Sequence, residues 1–269
     1  LLLKKTNYKI ISIDNYSSGK KSNEINSLRV NYLKGNTIKI ETILRKYKNR
    51  IKTIFHFGEF SRIYQSFQNF SKCFNSNSIG SNAVFNFCLQ NKIKLIYSAT
   101  SASLGNGGND KNLSPYAFSK AKNLEMLENL KKWFNLKFEV IYFYNVYGPN
   151  QICTGKMATV IGIFETQYIK KFPLTVVKPG TQSRRFTHVD DTIKICIEAW
   201  KKNKCLHYSI SSKKSYSIYQ VARMFSNNIK ILPYRAGERY ASALTKISMS
   251  NKIYKRYGRT SLINYIKNF

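Results

Sequence analysis

Short runs of β-branched and aromatic residues alternate with helix-patterned segments through the first half of this chain, and that alternation restricts its fold more than any other feature. Strands are expected over Lys9–Ile13, Arg29–Leu33, Thr53–Phe57, Lys94–Tyr97 and Phe138–Phe143, most of them ending at Gly, Asp, Ser or Asn. Between them, Asn77–Gln90 puts Ile79, Ala83, Val84, Phe87 and Cys88 on one helical face, and Pro115–Phe134 does the same with Leu124, Leu127, Leu130 and Phe134. Such an order gives parallel strands joined by crossover helices, with ligands received at the carboxyl ends of the strands. After Gly148-Pro149 the alternation loosens into helices over Lys156–Lys170, Asp190–Lys201 and Ser217–Asn227 and a strand over Thr175–Val177. The expected organisation is α/β, with a doubly wound parallel sheet over residues 1–150 and a smaller α/β lobe over residues 151–269.

Composition narrows the class further. Hydrophobic residues make up 43% of the chain, enough for a large core, and no apolar run approaches the roughly 20 residues of a membrane span, so no membrane association is expected. Leu1-Leu2-Leu3-Lys4-Lys5 is shorter than the apolar part of a secretory signal. Five cysteines without a C-x-x-C pair argue against a disulfide framework and a zinc site, and point to a reducing cytoplasm; His56, His188 and His207 are dispersed, so no metal is expected. The net charge of +32 raises the idea of nucleic acid, but the lysines come singly or in pairs and form no basic arm, so nucleic acid is not the expected partner.

Two stretches carry chemistry. Ile11-Ser12-Ile13-Asp14-Asn15 is an apolar strand ending in an acid; at the end of a second strand such a carboxylate binds the adenosine ribose and disfavours a 2′-phosphate, which suggests NAD, while the same residues also read as ordinary turn chemistry. Tyr116-Ala117-Phe118-Ser119-Lys120 places a phenol and an ammonium one helical turn apart, where Lys120 can favour the Tyr116 phenolate; a solvated helix face is the plainer alternative. Ser98, Thr100 and Ser101 put hydroxyls at the end of the preceding strand, and Ser114-Pro115 starts the helix.

From these residues onward the chain resembles the extended short-chain dehydrogenases/reductases that act on nucleotide sugars, above all the UDP-galactose 4-epimerase branch. Ile54-Phe55-His56-Phe57-Gly58 resembles the family's V-x-H-x-A segment, Asn77-Ser78-Ile79-Gly80-Ser81 its N-V-x-G-T helix start, and Tyr97 through Gly105 its S-S-S-x-x-x-Y-G strand end. Ser114 through Lys120 matches S-P-Y-x-x-x-K and Tyr144-Asn145-Val146-Tyr147-Gly148-Pro149 matches F-N-V-Y-G-P. In the second lobe, Gly180 through Asp191 resembles G-x-x-x-R-D-F-x-x-V-x-D, and Tyr234-Arg235-Ala236-Gly237-Glu238 the R-x-G-D segment.

The resemblance implies a Rossmann-type sheet, a nucleotide-sugar substrate, NAD and a homodimer formed through the helices around Asn77–Gln90 and Pro115–Phe134. It implies catalysis by Tyr116 as base, Thr100 holding the reacting oxygen and Lys120 supporting Tyr116 and the nicotinamide ribose. Asp14, Asn15, Phe57, Gly58, Asn77 and Tyr144 would also contact the cofactor. Asn145, Arg184, Arg235 and Glu238 would contact the substrate, with Arg185 standing where the family has Asp and competing with Arg184 for the diphosphate. Thr100 is followed by Ser101 and Ala102 rather than a carboxylate, which favours epimerisation of UDP-glucose and UDP-galactose at C4 over dehydration or decarboxylation. An ADP-heptose 6-epimerase-like enzyme, suggested by Gly155-Lys156-Met157-Ala158, and a non-catalytic nucleotide-sugar-binding relative are the alternatives.

One expected part has no counterpart. The first strand and its G-x-x-G-x-x-G loop, which receives the cofactor pyrophosphate, are missing, and Gly105-Asn106-Gly107-Gly108 follows the wrong strand. The lost strand would lie between Lys9–Ile13 and Thr53–Phe57, so the chain reads as N-terminally incomplete, with two unpaired strand edges and weak NAD binding as the expected consequences.

Overall fold

A computed structural model describes residues 1–102, 110–237 and 253–269. The chain opens with α1 (Leu2–Lys5), β1 (Ile10–Asp14), β2 (Val30–Lys34), α2 (Ile40–Leu44) and β3 (Thr53–His56). There follow α3 (Ile63–Gln68), α4 (Phe70–Phe74), α5 (Ser81–Gln90), β4 (Lys94–Thr100), α6 (Pro115–Phe134) and β5 (Phe138–Phe143). The second half holds β6 (Val146–Tyr147), α7 (Val160–Ile169), β7 (Leu174–Val177), β8 (Ser183–Arg184), β9 (Thr187–His188), α8 (Val189–Lys202), β10 (His207–Ser211) and β11 (Tyr216–Ser217). It ends with α9 (Ile218–Phe225), β12 (Ile229–Leu232), β13 (Ile253–Tyr257) and α10 (Leu262–Lys267).

Five strands form one parallel sheet in the order β13-β10-β5-β4-β3, with Thr53 opposite Lys94 and Leu95 opposite Phe138. Side chains alternate across it as a pleat requires. Leu95, Tyr97, Phe138 and Val140 face an apolar cluster completed by Val84 and Phe87 of α5 and Leu127 of α6. Ile96, Ile141 and Tyr208 face the other way, onto Ile195 and Ala199 of α8. Helices on both faces make this a three-layer, doubly wound, Rossmann-like architecture.

Strands β1 and β2 pair in parallel as a separate ribbon, Ile10 opposite Val30. Ile11 and Ile13 of β1 and Ile54 of β3 pack against the same apolar cluster, yet among the described residues no strand hydrogen-bonds β1 to β3. The sheet is therefore in two pieces that share a core, split at the position where the sequence analysis lacks a strand.

Three expectations are corrected. The helix expected over Asn77–Gln90 is a π-turn, Asn75–Gly80, running into α5, and the turn rotates Ile79 off the packed face to 44% exposure. Phe134, at the last position of α6, is 59% exposed and its ring meets that of Trp133 rather than the core. Residues 151–269 do not form one continuous lobe: β10 and β13 pair into the first sheet, with α8 as the crossover helix ahead of β10. The separate lobe is built on α7, β7, α9, β12 and α10, around buried Phe164, Leu174, Val176, Val221 and Leu262.

Candidate active site

The carboxyl end of β4 and the start of α6 meet where the two lobes face each other. The Ser114 hydroxyl accepts from the Ala117 N–H at 3.1 Å and Pro115 occupies the first turn, so α6 begins sharply and presents Tyr116 in its first turn. The Tyr116 N–H donates to Ser66 Oγ of α3 at 3.3 Å, which ties that turn to a second helix. Thr100 ends β4, its Oγ1 accepting from the Ala102 N–H at 3.1 Å.

Thr100, Tyr116 and Asn145 line a cavity of about 1130 Å³ together with Arg62, Lys156, Arg184 and Arg235. The described lining residues include no Asp or Glu, so the cavity is cationic and suited to an anionic ligand such as a diphosphate. Arg184 lies on β8 and lines the cavity, whereas Arg185, the next residue, turns away to donate to Ser211 Oγ at 3.2 Å. Arg235 stacks 5.5 Å from the Tyr64 ring of α3. Its loop depends on Gly237, whose φ of +74° suits glycine and where a Cβ would come 2.7 Å from Ile63 Cγ2. Glu238 lies outside the described residues, as do Ser103, Leu104, Gly105 and the glycine run after them.

Lys120 is behind this cavity rather than in it. Its ammonium is buried and donates to Glu59 Oε2 and to the Ser98 carbonyl. The Glu59 carboxylate also accepts from Ser81 Oγ at 2.7 Å, Tyr97 Oη at 3.0 Å and Asn123 Nδ2 at 3.3 Å. Burial pushes Lys120 below its ordinary value and Glu59 opposes that shift. Burial, then Glu59, holds the Tyr97 phenol well above its usual range, and burial lowers His56, whose Nε2 meets Ser81 Oγ at 2.9 Å. Glu59 is the residue that sequence reasoning missed. Its signal was an acid three positions after His56, at a strand's carboxyl end, in a chain with only 13 acids against 45 Lys and Arg.

Other expected residues are scattered. Asp14 and Asn15 are exposed at the end of β1 and accept the Tyr16 and Ser17 N–H groups at 2.7 and 2.9 Å, the turn chemistry their sequence allows. Asn77 is fully buried and spent on the loop beneath the cavity: its Oδ1 accepts from the Phe60 N–H at 2.7 Å and its Nδ2 donates to the Phe60 carbonyl at 3.0 Å. Tyr144 is buried, its hydroxyl 2.9 Å from Ser209 Oγ, so neither it nor Asn77 lines the cavity. Phe57 is 41% exposed with its ring 5.4 Å from Phe143, and Gly58 opens onto empty space.

Comparison with known proteins agrees with this fold. A family model described as the NAD dependent epimerase/dehydratase family matches residues 1–212. An ADP-L-glycero-D-manno-heptose-6-epimerase of Brachyspira hyodysenteriae is 26% identical over 200 residues, covering 69% of this chain, which spans 62% of that relative's length. An uncharacterised UDP-glucose epimerase of Bacillus subtilis is 26% identical over 210 residues, with 72% and 65% covered. Among solved structures, the UDP-glucose 4-epimerase of Thermotoga maritima with UDP-glucose superposes with a TM-score of 0.82 at 22% identity, covering 90% of this chain and 82% of that one. The matched span covers well over half of the chain, and the chain belongs to the NAD-dependent epimerase/dehydratase family.

Proposed function

We propose that this chain acts on a nucleotide sugar as an NAD-dependent epimerase, with UDP-glucose and UDP-galactose, exchanged at C4, as the preferred pair. The observation that carries this reading is the convergence of Thr100 and Tyr116 with Arg184 and Arg235 on one cavity free of carboxylates among its described lining residues. Tyr116 Oη takes the proton of the reacting sugar hydroxyl and later returns it, while Thr100 Oγ1 donates to the oxygen as it becomes a carbonyl. Arg184 and Arg235 hold the diphosphate, and Asn145 faces the sugar. NAD, held beside Tyr116 and Thr100, would supply reversible hydride transfer at the sugar carbon. The ADP-heptose 6-epimerase reading stands second, supported by the heptose epimerase relative at 26% identity.

The residues present fit NAD at its two ends. Asp14 offers a carboxylate for the adenosine ribose, with Gly19 folded so closely against it that a Cβ would stand 2.8 Å from Asp14 Oδ2. Tyr116 and Thr100, which line the cavity, would face the nicotinamide. Between these ends, the gap between β1 and β3 is spanned by no strand among the described residues. These 269 residues are therefore expected to bind NAD with a Kd in the millimolar range, checked by calorimetry; a micromolar Kd overturns this. Self-association is part of the proposal, supported by Phe70, Phe74 and Phe118, which are 57%, 44% and 47% exposed on α4 and α6.

The test is turnover. With NAD in excess, UDP-galactose is expected to convert to UDP-glucose, and Tyr116→Phe to lower the rate by about 100-fold or more. Conversion of ADP-heptose alone would favour the second reading, and turnover unchanged in Tyr116→Phe would remove Tyr116 from the mechanism.

A further inference from the structure

The walls of the cavity differ in what carries them. Thr100 and Tyr116 are carried by β4 and α6, whereas Gly155, Lys156 and Ala158, contributed by the second half of the chain, belong to a loop. The base of that loop is built in. Thr159 donates its N–H to the Ile152 carbonyl at 2.9 Å and its hydroxyl to Gln151 Oε1 at 2.7 Å, and Gln151 Nε2 donates to buried Glu165 of α7 at 2.8 Å. Its tip is different. Thr154, Gly155 and Lys156 are exposed, and the turn there is closed by the Ala158 N–H on the Gly155 carbonyl at 3.2 Å. An exposed turn of this kind opens easily unless something outside it holds it.

Arg62 holds it. This residue caps α3, and its Nε and Nη2 both donate to the Met157 carbonyl, at 3.0 and 2.6 Å, across 95 positions of chain. Nη1 is fixed in turn by the Ser61 carbonyl at 2.9 Å and Ser61 Oγ at 3.1 Å. Two donors on a planar fork fix an acceptor in direction as well as distance, which a flexible ammonium does not. The N–H groups of Arg62 are thus spent largely on protein acceptors, which suits a clamp better than a phosphate ligand. A second loop lands on the same helix: the Arg235 guanidinium stands 5.5 Å from the Tyr64 ring, and a Cβ at Gly237 would come 2.8 Å from Phe67 Cε2.

We propose that Arg62 is a positioning residue for ligand binding: its guanidinium clamps the Met157 carbonyl and holds the turn of residues 155–158 against α3 as a wall of the cavity. The clamp acts through Gly155, Lys156 and Ala158, which line the cavity, so it governs affinity. Tyr116 and Thr100 are held by α6 and β4 whether or not the clamp is made, so the chemical step is left nearly as it was. That the ligand is a nucleotide sugar rests on the epimerase reading; the clamp itself does not.

Two measurements on the full chain keep these apart. Amide hydrogen exchange at single residues, followed by NMR without ligand, reads the clamp. Arg62→Met is expected to speed exchange at Ala158 by about 10-fold or more and to leave Thr159, in the base of the loop, within about twofold. Arg62→Lys keeps the charge without the fork and is expected to speed exchange at Ala158 by about threefold or more. Turnover of UDP-galactose with NAD in excess reads the consequence: KM is expected to rise about 10-fold in Arg62→Met, with kcat within about twofold of the parent. Parent-like exchange at Ala158 in Arg62→Met overturns the proposal, and so does parent-like exchange in Arg62→Lys, which would make the charge rather than the fork responsible. Equal acceleration at Ala158 and Thr159 also overturns it, because the whole loop would then have loosened. An unchanged KM, or a loss in kcat as large as the rise in KM, removes the role in binding. If Arg62→Met does not fold, Arg62→Lys decides by its own threshold. Absence of turnover in the parent counts against the epimerase reading alone, since exchange at Ala158 is measured without it.

Discussion

Glu59→Leu is expected to lower the melting temperature by about 10 °C. The substitution keeps much of the side-chain volume and removes the carboxylate that receives Lys120, Ser81, Tyr97 and Asn123. Breaking a buried pair by deleting one partner costs about 3–5 kcal/mol, because the remaining charge stays buried without compensation. With both side chains almost wholly buried, solvent screening does not discount this figure. Thermal unfolding of the parent and variant measures it, and a loss of less than about 2 °C would show that water reaches Lys120.

Glu59→Gln separates charge from packing through pH. Burial already lowers Lys120 below the ordinary lysine value of 10.5, and Glu59 opposes that shift. Removing the carboxylate lowers it further, so between the new folded value and 10.5 the unfolded chain binds more protons than the folded one. Stability therefore rises with pH across that window. The deficit of Glu59→Gln relative to the parent is expected to be largest near neutral pH and to shrink as pH approaches 10.5. A deficit independent of pH would place its origin in packing alone.

Arg184→Met is expected to weaken UDP binding by about 10- to 100-fold, the loss of hydrogen bonds to a charged acceptor worth roughly 1.5–3 kcal/mol. Arg235 is exposed, so Arg235→Met should cost less, about 10-fold, and its contribution should fall with added salt. Arg185→Met should change affinity by less than about twofold, since its side chain turns toward Ser211. Calorimetric titration of UDP into the three variants ranks them, and an Arg185 effect as large as that of Arg184 would reverse the assignment.

Those three arginines show where reading from residues stops. Arg184 and Arg185 are neighbours at the end of a strand, and adjacent strand residues point to opposite faces; only the pairing of β8 with β11 decides which one sees the cavity. Asn77 and Tyr144 stand in recognisable motifs, but a motif records position along the chain and not the direction of a side chain, and both turn into the interior.

Local periodicity determined most of the first half by itself. The start of α6 at Ser114-Pro115, the single turn between Tyr116 and Lys120, and the alternation of Leu95, Ile96 and Tyr97 across β4 follow from spacings of a few residues. That no strand among the described residues joins β1 to β3 matches the missing first strand and glycine-rich loop, which only the family resemblance made legible. Tertiary structure alone decided what crosses long stretches of chain. Glu59 reaches Lys120 across 61 positions, and Arg62 reaches the Met157 carbonyl across 95. It also returned α8, β10 and β13 to the first sheet. Hydrophobic patterning sets which face of an element is buried, whereas the partner of a buried charge is set by how the elements pack, and that information is not local to any segment.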